Sequence, residues 1–223
     1  MTDRWRISAY INSLYPGNSE LLDRIEEEAL AAGVPVIRRE TQSLLRFLLC
    51  ARRPMKILEV GAAVGFSALF MSEYAPEGCR ITTIENYEKR IPTARENFVR
   101  AGRTDQITLL EGDALKVLAG LEESYDLIFV DAAKAQYISY LPEVLRLLAV
   151  GGILVSDNVL QDGDIVESRF AVERRNRTIH ARMREYLYAL THHEELTTSI
   201  LPLGDGVTVS VRTGKGTGKE EQR

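Results

Sequence analysis

Apolar residues recur with two different spacings along this chain, and the change of spacing divides it into two parts. Residues 4–53 show the three- and four-residue spacing of amphipathic helices, and Asn18 or Ser19 is placed to cap one of them. From Lys56 onward, short apolar runs alternate with helical stretches. Such alternation is typical of βαβ units, which build a parallel sheet covered by helices on both faces.

The apolar runs predict a mostly parallel sheet of about seven strands, with extra helices at the N-terminus. Parallel strands are expected over residues 57–60, 80–84, 107–110, 126–130 and 152–156. Helices are expected over residues 66–74, 88–101, 114–121, 136–149 and about 164–191. A C-terminal antiparallel hairpin is expected from two β-like runs that flank Gly204-Asp-Gly206, at residues 196–201 and 207–212.

Length and composition fit one domain. The chain has 223 residues, of which 45% are hydrophobic and 27% charged, enough for one substantial core. We predict a single domain over residues 1–213, made of a helical part over 1–53 and an alternating core over 54–213. The low-complexity segment 214–223 is expected to be a disordered tail.

Charge and cysteine content indicate a soluble cytoplasmic protein. The polar start has no signal-peptide pattern, and no apolar run approaches the roughly 20 residues that span a bilayer. Cys50 and Cys79 lack metal-ligand spacing and suit buried free thiols in a reducing compartment. The formal net charge of −4 argues against a protein whose whole surface binds polyanions.

Candidate cofactor residues fall at the carboxyl ends of the first three strands, where open parallel sheets bind ligands. The segment from Glu59 to Gly65 has G-x-x-x-G spacing, which lets backbone approach a ligand but differs from the dinucleotide G-x-G-x-x-G pattern. Glu85 can accept hydrogen bonds from two ribose hydroxyls, and Asp113 can accept one from an adenine amino group. Each residue alone also fits a structural turn or helix cap, but three in register predict a bound cofactor.

Candidate metal ligands follow the fourth and fifth strands. Asp131, Asp157 and Asn158 offer two carboxylates and an amide oxygen, a set that suits Mg²⁺, with Mn²⁺ or Ca²⁺ possible, and not zinc. The alternative is that Asp157 and Asn158 only cap the next loop. Lys134 lies three residues after Asp131 and can serve as a general base beside a cation, or can be a surface lysine.

Four segments of the sequence combine into a specific pattern. They are Glu59-Val-Gly-x-x-x-Gly-Phe-Ser67, Val130-Asp-Ala-Ala-Lys-x-x-Tyr137, Asp157-Asn-Val-Leu160 and Leu201-Pro-Leu-Gly-Asp-Gly206. Over about residues 20–212 the chain resembles the cation-dependent O-methyltransferases, which include catechol and caffeoyl-coenzyme A O-methyltransferases. The resemblance implies a Rossmann-like class I methyltransferase fold, S-adenosylmethionine as methyl donor, and a homodimer.

The resemblance also implies roles for single residues. It makes Asp131, Asp157 and Asn158 metal ligands, and places Lys134, with Asp131, in the catalytic position. The expected cofactor contacts are Ile37 through its backbone, Glu59, Gly61, Gly65, Ser67, Glu85, Asp113, Ala114 and Asp131.

Within this family the chain is most similar to bacterial enzymes that methylate 5-hydroxyuridine at the tRNA wobble position. The similar segments include Val34–Ile37, Asn158–Leu160 and an arginine-rich stretch before the hairpin. The oxygens at C4 and C5 of 5-hydroxyuridine are adjacent, as in catechol, so one metal site serves either acceptor. We take tRNA, converted to 5-methoxyuridine, as the first hypothesis and a small catechol or phenylpropanoid as the alternative.

Arginines decide between these acceptors if they lie at the mouth of the site. Arginines can bind the phosphates of an anticodon loop whose splayed base reaches the metal. The candidates for tRNA contact are Arg38, Arg39, Arg174, Arg175 and Arg177. They also fit a solvated helix face, and a non-catalytic tRNA- or nucleotide-binding module is a third alternative, disfavoured by the intact metal and base set.

Overall fold

The runs predicted as strands form one seven-stranded sheet in a computed structural model that describes residues 4–214. The strands are β1 Lys56–Val60, β2 Arg80–Glu85, β3 Ile107–Glu111, β4 Tyr125–Val130, β5 Leu148–Asp157, β6 Leu196–Leu201 and β7 Val207–Arg212. Their order is β3-β2-β1-β4-β5-β7-β6. The first five are parallel, and β7 pairs antiparallel with both β5 and β6. The predicted fold class, including the C-terminal antiparallel pair, is therefore confirmed.

Helices cover both faces of the sheet. They are α1 Arg4–Ser13, α2 Glu20–Ala31, α3 Arg39–Arg52, α4 Phe66–Tyr74, α5 Ile91–Arg100, α6 Ala114–Gly120, α7 Tyr137–Leu147 and α8 Arg177–His192. Short 3₁₀ segments lie at Lys134–Gln136, Gln161–Val166 and Arg174–Asn176. None of the helices within residues 4–214 is long and apolar enough to cross a membrane.

Two apolar cores sandwich the sheet, because successive side chains of a strand point to opposite faces. Ile57 of β1 is fully buried among side chains of α2–α5, whereas its neighbour Leu58 is fully buried among side chains of α6–α8. A parallel sheet covered on both faces needs strands that are apolar at every position. This explains why the central strands appear in the sequence as continuous apolar runs.

The long helix expected over about 164–191 is shorter, since α8 begins only at Arg177. The part before Arg177 consists of 3₁₀ segments and turns, and just ahead of the expected start Asp162 and Gly163 have φ of 52° and 99°, which a right-handed helix cannot contain. The predicted cap is Ser19, whose hydroxyl accepts from the Leu22 amide.

The expectation of two buried cysteines needs correction, and the predicted tail lies almost wholly outside the described residues. Cys50 is exposed, and only Cys79 is a buried thiol. Cys50 lies on the outer side of α3, where an apolar sequence context did not mean burial. The tail predicted over 214–223 lies, apart from Gly214, outside the described residues.

The topology gathers the loops that follow β1–β5 and the turn before β7 at one edge of the sheet. Parallel strands β1–β5 end at this edge, where open α/β sheets bind ligands. Because β7 is antiparallel and its first residue Val207 pairs with Asp157, the turn before β7 lies at the same edge. Gly204-Asp-Gly206 is thus brought beside the candidate metal ligands.

Candidate active site

A cavity of about 540 Å³ opens at the carboxyl ends of β1, β2, β4 and β5. Its lining contains predicted cofactor residues at one end and predicted metal ligands at the other. The predicted residues in the lining are Ile37, Gly61, Ser67, Glu85, Ala114, Asp131, Lys134, Asp157, Asn158 and Arg38. The cavity is large enough to receive a cofactor and a small acceptor together.

Gly61 is required by close packing of two strand ends. A Cβ on Gly61, whose φ is +107°, would lie 2.0 Å from the carbonyl oxygen of Asp131. Gly65, the second glycine of the turn, does not line the cavity. Its Cβ would meet the ring of Phe98 at 2.5 Å, so Gly65 lets α5 pack beneath the turn.

Backbone amides hold the carboxylate of Glu85 in place at the end of β2. One oxygen accepts from the amides of Asn86 at 2.9 Å and Tyr87 at 2.8 Å, and the other accepts from Ala63 at 2.6 Å. Glu85 is 8% exposed and faces the cavity. A carboxylate fixed in this way is pre-oriented to accept hydrogen bonds from a ligand's hydroxyls through its remaining lone pairs.

Glu59 lies beneath the cavity and does not line it. Its Oε2 accepts from the Thr83 hydroxyl at 2.5 Å, and its buried Oε1 has no hydrogen-bond partner. Burial raises the pKa of Glu59 to about 7, and the nearby hydroxyls of Ser67 and Thr83 oppose that rise. Of Glu59, Thr83 and Ser67, only Ser67 lines the cavity, so its side chain lies between the Glu59 carboxyl and the cavity.

Asp113 also stands outside the cavity lining, whereas its neighbour Ala114 is part of it. The Asp113 side chain accepts from the Lys116 amide at 3.2 Å and caps α6. Asp113 therefore acts as a helix cap, the alternative that the sequence left open, and its role as a cofactor contact stays a prediction.

The predicted metal ligands converge at the ends of β4 and β5. Asp157 is 2% exposed and Asp131 is half-buried, and both face the cavity with Asn158. Burial and the neighbouring Asp157 carboxylate raise the pKa of Asp131 to about 7, and burial likewise raises the pKa of Asp157. Two repelling carboxylates with an amide oxygen form a site that a hard divalent cation would stabilise. Within residues 4–214 no group of three or more His, Cys, Asp or Glu is arranged to hold a metal ion.

Two acidic residues of the cavity wall were not predicted as site residues. Asp205 is almost fully buried and accepts from Lys134 Nζ at 3.2 Å. Asp162 forms an exposed ion pair with Arg38 at 3.3 Å. In the sequence Asp205 was interpreted as the centre of a hairpin turn, and its segment Leu201–Gly206 was part of the family pattern, but the residue was given no role in the site.

Of the five arginines predicted to contact tRNA, only Arg38 lines the cavity. Arg39 forms ion pairs with Asp23 and Glu26 of α2 and does not line the cavity. The other arginines precede or begin α8, where Arg175 pairs with Glu173 and Arg177 donates to backbone carbonyls. Arg174, Arg175 and Arg177 do not line the cavity.

The fold and the cavity at its strand ends define a class I S-adenosylmethionine-dependent methyltransferase. The SAH-bound methyltransferase PaMTH1 of Podospora anserina superposes with a TM-score of 0.84, is 30% identical, and 94% of each chain is covered.

The chain belongs to the O-methyltransferase family, whose sequence model matches residues 12–213. It is 31% identical to a catechol O-methyltransferase of Niastella koreensis over 167 residues, covering 72% of this chain and 76% of the relative. It is also 31% identical to caffeoyl-CoA O-methyltransferase 2 of Populus trichocarpa over 215 residues, covering 90% of this chain and 85% of the relative. The chain is therefore an S-adenosylmethionine-dependent O-methyltransferase of the catechol and caffeoyl-CoA type.

Proposed function

We propose that this enzyme methylates a hydroxyl of a small phenol that carries a second oxygen on the neighbouring carbon, with the help of a divalent cation. The observation that carries the proposal is the cluster of Asp131, Asp157, Asn158 and Lys134 in the same cavity as the cofactor residues. Adjacent oxygens of a catechol or caffeoyl group suit such a cluster, because both can face one cation.

The donor set fits Mg²⁺, Mn²⁺ or Ca²⁺, which prefer carboxylate, amide and water oxygens. Asp131 and Asp157 would be charged ligands, and a bound cation would offset the burial and the Asp157 repulsion that together raise the pKa of Asp131. Asn158 is held in a left-handed conformation, with φ of 57°, and its backbone N–H donates to Asp157 Oδ1 at 2.8 Å. This contact fixes the two neighbouring ligands relative to each other.

The chain's own residues supply orientation and a proton acceptor. When bound, S-adenosylmethionine would supply the methyl group and the cation would lower the pKa of the acceptor hydroxyl. The Glu85 carboxylate would fix the cofactor at its ribose, and the Gly61 backbone lines the same cavity. The neutral amine of Lys134, on the acceptor side of the cavity, would take the hydroxyl proton and become the ammonium that pairs with Asp205.

The charge around the acceptor end favours an uncharged catechol ring over a phosphate group against this wall. Asp131, Asp157, Asp162 and Asp205 line this part of the wall. The cations among the lining residues there are Arg38 and Lys134, and both are engaged by these acids. A phosphate backbone would meet four carboxylates, so tRNA is less well supported than the small-molecule acceptor.

A direct comparison of acceptors tests the proposal. Methyl transfer from labelled S-adenosylmethionine with Mg²⁺ is measured for caffeic acid, caffeoyl-CoA and tRNA that carries 5-hydroxyuridine. We expect kcat/KM for a catechol acceptor to exceed that for the tRNA. The opposite ranking would overturn the small-molecule assignment and restore the wobble-base hypothesis.

A charge-reversal pair separates the two acceptors further. Arg174→Glu with Arg175→Glu should leave transfer to caffeic acid unchanged, because neither side chain reaches the cavity. If tRNA were the acceptor and these arginines bound it, the pair would weaken tRNA binding and flatten its salt dependence. Loss of catechol methylation in this variant would contradict our assignment of the two arginines to the surface.

We further propose that the enzyme acts as a homodimer through a second, apolar groove of about 390 Å³ between α1, α3 and the turn before β7. Large apolar side chains are exposed beside it, which soluble monomers seldom cluster. Ile11, Tyr15 and Phe47 line the groove, and α1 also exposes Ile7, Tyr10 and Leu14. Light scattering on the eluting protein should give twice the 25.0 kDa chain mass, and Phe47→Glu should give the chain mass. A wild-type protein of the chain mass would refute the homodimer. The cytoplasmic location stays a prediction.

A further inference from the structure

The turn that joins β6 to β7 carries a buried acid at the acceptor end of the cavity. Asp205 has a side chain that is 3% exposed, although the residue stands in a surface turn between Gly204 and Gly206. Buried carboxylates are rare unless they are paired and hydrogen-bonded. The partners of this acid therefore indicate what it holds in place.

Asp205 joins the two segments that follow β4 and β5. Its Oδ2 accepts from Lys134 Nζ at 3.2 Å, and its Oδ1 accepts a short hydrogen bond from the Asp162 amide. Its backbone carbonyl accepts from the Leu160 amide at 2.8 Å. The first segment begins with Asp131 and the second begins with Asn158, which are both candidate metal ligands.

The segment after β5 needs such support, because its backbone is strained. Asn158, Gln161 and Asp162 have φ of 57°, 54° and 52°, a left-handed conformation that non-glycine residues seldom adopt. Strained backbone persists only where its surroundings over-determine it. Here the Val159 amide donates to Gly206 at 3.0 Å, and a Cβ on Gly206 would lie 2.2 Å from the Leu160 side chain.

We propose that Asp205 is a positioning residue for methyl transfer, which fixes the Lys134 amine and the 158–162 backbone relative to each other at the acceptor end of the cavity. The inference rests on the proposed function, since Lys134 matters only if an acceptor is deprotonated there. Asp205 would act through these two partners and not by contact with the cofactor. A displacement of about 1 Å in an active site can cost about 100-fold in rate, so loosening either partner should reduce kcat.

Asp205→Asn tests the contact with Lys134 separately from the contact with the Asp162 amide. In Asp205→Asn the side-chain carbonyl can still accept from the Asp162 amide, but the amide group cannot accept from Lys134. We expect kcat to fall about 10- to 100-fold with KM for S-adenosylmethionine within about 2-fold of wild type. Asp105→Asn, at an exposed turn before β3 and at the opposite edge of the sheet, is the matched control and should behave as wild type.

A double-mutant cycle tests whether Asp205 works through Lys134. In a Lys134→Ala background, Asp205→Asn should change kcat less than about 2-fold, because the partner is already absent. Equal losses in both backgrounds would overturn the tie between these residues, as would a wild-type kcat for Asp205→Asn alone.

Amide exchange gives a readout that does not depend on turnover. Asp205→Ala, which removes both acceptor oxygens, should accelerate hydrogen exchange in residues 159–163, while Asp205→Asn should retain wild-type protection there. Unchanged exchange in Asp205→Ala would overturn the role in holding this segment. If wild-type enzyme methylated no acceptor, the proposed function would fail, but faster exchange would still establish the backbone tie.

Discussion

Glu59→Gln is expected to stabilise the enzyme, with a gain that grows between pH 5 and pH 8. Glu59 is fully buried under the cofactor end of the cavity, and its Oε1 lacks a hydrogen-bond partner. Burial raises the pKa of this carboxyl from 4.5 to about 7, so the folded protein binds a proton that the unfolded chain releases. Glutamine has nearly the same shape, keeps an acceptor for Thr83 and cannot ionise.

The sign and size of the effect follow from linkage. A raised pKa gives stability that is complete below the unfolded value of 4.5 and is lost as pH rises through about 7. Relative to a neutral side chain, the carboxyl of Glu59 costs about 1 kcal/mol at pH 5 and about 3 kcal/mol at pH 8. For a domain of this size, about 3 kcal/mol corresponds to a Tm increase of roughly 6–12 °C.

Urea unfolding of both proteins at pH 5 and pH 8, without added metal or cofactor, measures the difference. Glu77→Gln, at an exposed turn before β2, is the matched control and should show no pH-dependent gain. A gain for Glu59→Gln that is the same at both pH values would refute the reasoning, because it would show that Glu59 is not protonated on folding. Calorimetry on the variant also tests Glu59 as a cofactor residue, since a residue beneath the cavity should leave the affinity for S-adenosylmethionine within a few-fold.

Three further predictions concern the cavity itself. Asp131→Asn, or a chelator, should reduce methyl transfer at least about 100-fold and abolish any rise of Tm on adding Mg²⁺, and full activity in the chelator would exclude the cation. Glu85→Gln should weaken S-adenosylmethionine binding at least about tenfold by calorimetry, since one fixed acceptor is replaced by a donor, and unchanged affinity would remove Glu85 from the site. Gly61→Ala should lower Tm and activity together, because its Cβ would lie 2.0 Å from the Asp131 carbonyl, and a wild-type Tm would contradict that packing.

The apolar runs predicted the sheet well because the central strands β1, β4 and β5 are buried on both faces over most of their length. The helix bounds Phe66–Tyr74 and the strand bounds Leu196–Leu201 and Val207–Arg212 agree with the predicted ranges. The prediction of one long helix from about residue 164 was wrong in its first part, because a polar, arginine-rich segment resembles a solvated helix face. The residues before Arg177 form 3₁₀ segments and turns instead.

Site residues were predictable where chemistry and strand position coincide, and not where a contact crosses the fold. Asp131, Asp157 and Asn158 each follow a strand, so the edge rule for parallel sheets gathers them without any knowledge of tertiary structure. Asp205 is 71 residues from Lys134 along the chain, and only the antiparallel insertion of β7 beside β5 brings them together. The same insertion buries the acid that supports the proton acceptor, so the antiparallel hairpin both completes the sheet and builds the acceptor wall. Retaining Asp205 while shortening the hairpin turn by one glycine should therefore damage turnover before it damages the sheet, which comparing kcat with far-ultraviolet circular dichroism would measure.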